Sequence, residues 1–161
     1  MNRLPRALAA LLLAACVQAP VLAADTPEPV RAPAAKDKLA DARKFIAAKQ
    51  WPQAVDALKR VNDSGSADWH NLLGYSLRKG ATPDLVGAEK HYAEALRIDP
   101  KHKGALEYSG ELMLMKGDLG AAEQRVATLE KVCGAGCEEL ADLKQAVQRY
   151  KTAGNKYLPE S

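Results

Sequence analysis

The sequence predicts an all-α protein, and three observations carry that expectation. Ala is abundant while aromatic residues supply only 5% of the 161 positions, a composition suited to helices packed closely through small side chains. Between residue 36 and Tyr157 the only prolines are Pro52, Pro83 and Pro100, each placed where a helix would begin rather than inside one. No run of alternating β-branched residues marks a strand.

The elements follow in chain order. Basic residues between Met1 and Arg6, an uncharged apolar run from Ala7 to Val17 and then small residues have the pattern of an export signal, residues 1–24. The run is too short to span a bilayer, which takes roughly 20 residues. Two processing readings stand side by side. Val21-Leu22-Ala23 suits release after Ala23 or Ala24 as a soluble periplasmic protein, whereas Leu13-Ala14-Ala15-Cys16 is similar to a bacterial lipobox, with Cys16 lipidated. Either route takes the protein out of the cytoplasm. Residues 25–35, with Pro27, Pro29 and Pro33, read as an extended linker, leaving about 125 residues to build a core. Turn signals at Ser64-Gly65, Gly80, Gly117-Asp118 and Gly134 to Gly136 then divide the chain into helical segments. Pro83 follows Thr82 as an expected N-cap, and Pro100 follows Asp99. A last helix over 137–152 places Leu140, Leu143, Val147 and Tyr150 on one face, before a tail at 153–161.

An internal repeat orders these segments. Ala54, Ala88 and Ala122 are 34 residues apart, as are Leu58, Tyr92 and Val126, and Val61, Ala95 and Leu129. With Leu73-Gly74 and Leu77 in the first helix of the middle unit and Ala88, Tyr92, Ala95 and Asp99-Pro100 in its second, the chain resembles the tetratricopeptide repeat family. The resemblance implies a right-handed α-solenoid of about three helical hairpins, near 35–66, 67–102 and 103–134, plus a C-terminal capping helix. The middle unit departs from the family by two extra residues around Ala81 to Asp84. The third has Gly134 where the family usually has Pro, and the first lacks the first-helix glycine.

In such a stack the first helices line a concave surface that holds a peptide or helix of another protein. The register implied by the resemblance puts Leu39, Arg43, Ile46, Asn71, Tyr75, Arg78, Glu107, Glu111, Leu114 and Met115 on or near it. Leu39, Ile46, Leu114 and Met115 are candidate apolar anchors, and Asn71 a candidate amide contact to a ligand backbone. The competing expectation for any one of these is more ordinary: Leu114 and Met115 partly core, Arg43 and Arg78 solvated charges. The Lys, Asn and Arg clamp by which some members grip a carboxyl terminus has Leu39, Leu72, Gly104 and Tyr108 at most of its matching positions and is not supported.

The formal charge is +3, and removal of Arg3 and Arg6 with the leader leaves 21 basic against 20 acidic residues, a balance that gives nucleic acid no electrostatic purchase. His70, His91 and His102 are scattered, no nucleophile and base pair at motif spacing, and no phosphate loop is visible. Glu138-Glu139 suit the first turn of a helix. The expectation is a chain that is not an enzyme and takes neither cofactor nor metal. Cys133-Gly134-Ala135-Gly136-Cys137 is the one local motif with chemistry: two thiols in an oxidising compartment, joined by a flexible linker, predict a disulfide. The functional expectation is a binding or scaffold module of a bacterial cell envelope. The alternative is a periplasmic accessory protein that handles thiols or metals through Cys133 and Cys137.

Overall fold

The computed structural model describes residues 37–158. The expected leader, Cys16 and the expected linker at 25–35 lie outside the described residues. The described chain is seven α-helices with no strand: α1 Ala40–Ala47, α2 Trp51–Val61, α3 Ala67–Lys79, α4 Leu85–Ile98, α5 Lys103–Met115, α6 Leu119–Cys133 and α7 Glu138–Thr152. None is long and apolar enough to cross a membrane.

Local chemistry sets the helix ends. Ser66, Asp84, His102 and Asp118 each accept a hydrogen bond from a backbone N–H of the first turn they precede, at 2.8–3.2 Å, which satisfies donors a helix start leaves orphaned. Pro52 occupies the first turn of α2. Asn62 then closes that helix in the left-handed region at φ 48°, a conformation Asn tolerates. Two expected joints differ. The cap of α4 is Asp84, not Thr82, so Pro83 precedes the cap. Pro100 follows Asp99, the C-cap of α4, and α5 starts only at Lys103, so this proline terminates a helix instead of opening one.

Consecutive helices pack on one another from α1 to α7, and α1 also touches α3, α3 touches α5, and α5 touches α7. No contact joins α2 to α4 or α4 to α6, and no helix meets one more than two places away among the described residues. The 34-residue columns coincide with the core: Ala54, Ala88, Ala122, Leu58, Tyr92, Ala95 and Leu129 are completely buried, while Val61 and Val126 are half-buried. Small side chains are obligatory where helices approach. A Cβ on Gly74 would stand 2.9 Å from a ring carbon of Tyr92 and 3.2 Å from the carbonyl oxygen of Ala88; one on Gly110 would stand 2.6 Å from a methyl of Leu143. The core runs from Leu39, Leu58, Trp69 and Leu73 at one end, through Tyr92 and Leu112, to Leu106, Leu129 and Leu143, and to Leu114, Val147 and Tyr150 beside them.

Candidate functional site

The face shared by α3 and α5 gathers most of the buried polar chemistry of the described residues. Asn71 lies against Gly104, whose missing Cβ leaves room for the amide: an added Cβ would be 2.9 Å from Asn71 Nδ2. One turn on, the rings of Tyr75 and Tyr108 stack at 4.5 Å between centroids, with Trp51 edge-on to Tyr75 at 5.8 Å. A further turn on, Arg78 meets Glu111 at 2.5 Å. The pairs 71/104, 75/108 and 78/111 advance together, so α3 and α5 run parallel with a constant offset. This follows from the i, i+4, i+7 spacing of Asn71, Tyr75 and Arg78, which aligns them on one side of α3.

Arg78 is the hub of this face. It is 2% exposed, reaches Tyr92 Oη from Nε at 3.4 Å and the Met115 sulfur at 3.9 Å, and its guanidinium lies 5.6 and 5.7 Å from the Tyr75 and Tyr108 ring centroids. Burial works against its charge, but the Tyr92 phenol and Glu111 outweigh that and raise its pKa. The Glu111 contact is an ion pair without hydrogen-bond geometry at the nearer nitrogen. Burial likewise pushes up the phenols of Tyr92 and Tyr108.

Besides Arg78 Nη2, the same face holds polar groups with no hydrogen-bond partner among the described residues. Asn71 is 6% exposed and its Oδ1 has no hydrogen-bond partner among the described residues. Glu107, 7% exposed, has neither an ion pair nor a hydrogen bond to any of them. Burial first, then the charges of Glu111, Asp142 and Glu139, push its carboxyl up to about 8, with Arg78 pulling the other way.

Along one edge, Asp68 of α3 joins Arg43 of α1 at 3.2 Å and His102 Nε2 at 2.9 Å. The His102 hydrogen bond, opposed by burial and helped by the charges of His102 and Arg43, holds the Asp68 carboxyl below its ordinary range. On the other side of α3, His70 and His91 meet through their Nδ1 atoms at 2.9 Å, and His70 Nε2 lies 3.1 Å from the Ser64 carbonyl oxygen. A carbonyl only accepts, so neutral His70 donates from Nε2 and accepts at Nδ1 from His91. Trp69 packs edge-on to both rings and donates to the Leu58 carbonyl at 2.7 Å. Burial, then His70, lowers the pKa of His91.

The expected groove residues therefore divide. Asn71, Tyr75, Arg78, Glu107, Glu111 and the half-buried Met115 share the α3/α5 face. Leu39 and Leu114, expected as apolar anchors, are 6% and 1% exposed and belong to the core, because the short α1 and the end of α5 turn them onto α2 and α3 and onto α6 and α7. Arg78 is not a solvated charge; Arg43 is exposed and ion-paired, and Ile46 is half-buried on α1. The histidines are not scattered, since two of the three touch. Sequence reasoning missed Tyr108, Glu139 and Asp142; the aromatic pair Tyr75 and Tyr108, one residue short of the repeat, was the available signal. Cys133 and Cys137 have sulfurs 2.09 Å apart, at disulfide bonding distance, across the α6–α7 turn. Among the described residues no three His, Cys, Asp or Glu side chains converge as a metal site. Two surface depressions, of about 450 Å³ beside Asp37, Ala40 and Val61 and about 400 Å³ beside Trp51, Leu77 and Thr82, lie elsewhere. Neither contains an unpaired buried polar group, so the chemistry favours the α3/α5 face over the larger hollows.

Comparison with known proteins yields no matching family model and no matching curated relative.

Proposed function

We propose that this chain is a non-catalytic binding module of the bacterial cell envelope, a tetratricopeptide-like solenoid that holds a peptide or helix of a partner protein along α1, α3, α5 and α7. One observation carries the reading: the α3/α5 face presents Asn71 Oδ1, buried with no hydrogen-bond partner among the described residues, beside Glu107, which is 7% exposed and has no ion pair or hydrogen bond to any of them. Desolvating such groups costs free energy that a hydrogen-bonding ligand recovers. The contact pattern supports the curvature. Odd-numbered helices touch their next odd neighbour while even-numbered ones do not, as expected when the odd helices lie on the inside of a bent stack. Placement outside the cytoplasm rests on the leader of residues 1–24, with lipidation at Cys16 as the alternative anchor.

The thiol or metal reading has less support. Cys133 and Cys137 pack against the Leu106, Leu129, Leu140 and Leu143 cluster, which suits a structural staple at the helix junction.

Photocrosslinking tests the binding reading. With a benzophenone side chain in place of Tyr75 or Met115, the full-length protein expressed in its own envelope is expected to crosslink one discrete partner, and the same label at Val86, 65% exposed on α4, is not. Crosslinks from Val86 alone would move the site off the odd-numbered helices.

A further inference from the structure

Resting on that reading, we propose that the α3, α5 and α7 face carries a subsite for the guanidinium group of an arginine in the bound peptide, held by Glu107 with Glu139 and Asp142 and headed by Asn71. Four observations converge on a cation of this shape.

The first is an excess of carboxylates. Glu107 is almost fully buried on α5, which packs against α7, and the charges of Glu111 on its own helix and of Asp142 and Glu139 on α7 act on its carboxyl. Arg78, whose charge opposes theirs, is already committed to Glu111 at 2.5 Å. Among the described residues no lysine or arginine pairs with Glu107, and a buried carboxyl left that way is costly unless it stays protonated or gains a counter-charge.

The second observation is independent of the acids. Asn71 Oδ1, an acceptor, is buried without a partner, and its amide sits over Gly104, one helical turn before Glu107 on α5. Asn71 and Glu107 therefore flank one stretch of α5, and no donor of the described residues meets the Asn71 oxygen or the Glu107 carboxyl. A ligand with several N–H groups satisfies them together, as a single ammonium does less well.

The third is aromatic. Tyr75 and Tyr108 stack beside these acceptors, and guanidinium planes favour such ring faces. The fourth is the chain's own precedent one turn along: Arg78 lies over both tyrosines and pairs with Glu111. The subsite at Glu107 repeats that chemistry with the cation supplied from outside. The high affinity of Glu107 for its proton is consistent with this, because an incoming guanidinium would favour the ionised carboxylate and release the proton.

NMR titration of the full-length protein with N-acetyl-arginine methylamide provides the test, with the citrulline and lysine analogues as probes of the same length. Saturable shifts at the Asn71 side-chain amide and around Glu107 are expected with arginine. The neutral citrulline probe and the Glu107→Gln variant should each bind about tenfold more weakly or worse, the scale of one charge-assisted hydrogen bond. If Glu107→Gln alters the fold by circular dichroism, Glu139→Gln, nearer the surface, takes its place with a several-fold loss expected. Equal binding of citrulline or lysine, indifference to both variants, or shifts confined to the even-numbered helices would overturn the assignment. The two readings fail separately. Crosslinking from Tyr75 that persists undiminished in Glu107→Gln keeps the groove and sinks the arginine subsite, whereas arginine binding without any crosslinked partner sinks the groove reading alone.

Discussion

Gly74, Ala88 and Tyr92 form the tightest contact between α3 and α4, and its tolerance is set by fractions of an ångström. A methyl group at Gly74 meets a completely buried ring and a backbone carbonyl, neither of which swings aside. Gly74→Ala and Ala88→Leu are each expected to destabilise by about 1–3 kcal/mol through overpacking. Thermal or urea unfolding measures this, and unchanged midpoints would contradict the packing described. A second residue-scale prediction concerns Glu107. Its carboxyl is raised from 4.5 to about 8 by burial and the neighbouring carboxylates, so between those values the folded chain holds a proton that the unfolded chain has released. Stability should therefore fall as pH rises across that window. Glu107→Gln should flatten this dependence and gain a few kcal/mol relative to the parent at pH 8. A parent with pH-independent stability between pH 5 and 8 would refute the assignment. The stripe of Asn71, Tyr75, Arg78, Glu107 and Glu111 was legible from helical spacing and the repeat. Its internal wiring was not, since whether an arginine points at solvent or at Glu111 depends on how two helices 33 residues apart are set against each other.

At the scale of elements, the caps decide where helices start, and here sequence and structure part in an instructive way. Thr82 and Asp84 are both good caps, but the two extra residues between Ala81 and Asp84 let the chain run on, and Asp84 wins by reaching the Gly87 amide at 2.8 Å. The α6–α7 junction was readable because glycine flanks both cysteines; Gly134 and Gly136 indeed hold positive φ values of 55° and 126°, which favour glycine. That junction carries its own prediction. A crosslink closing so short a loop is worth only about 2 kcal/mol in the chain-entropy model, so reduction should loosen the start of α7 and leave the rest folded. Hydrogen exchange before and after reduction locates the change, and alkylation followed by intact-mass measurement should label the pair only after reduction. Two alkylated cysteines in untreated protein would rule the bond out.

For the whole molecule, the 34-residue columns proved to be the core positions, because a repeat in sequence is a repeat in what each helix must bury. What the columns could not convey is how short the first helix is: α1 has eight residues and one buried alanine within it. The pattern of helix neighbours has a temporal consequence. Since among the described residues every helix touches only those one or two places away, no distant helices have to find each other before native contacts form, and loop-closure entropy is small at every step. Refolding from denaturant is expected on the order of milliseconds or faster, followed by the fluorescence of the buried Trp69. A phase of many seconds that persists in double-jump refolding, before Pro52, Pro83 and Pro100 have had time to isomerise, would be out of keeping with such neighbour-only wiring. In that wiring each hairpin can dock as soon as its own two helices and the hairpin before it are available, without waiting for the chain to be complete.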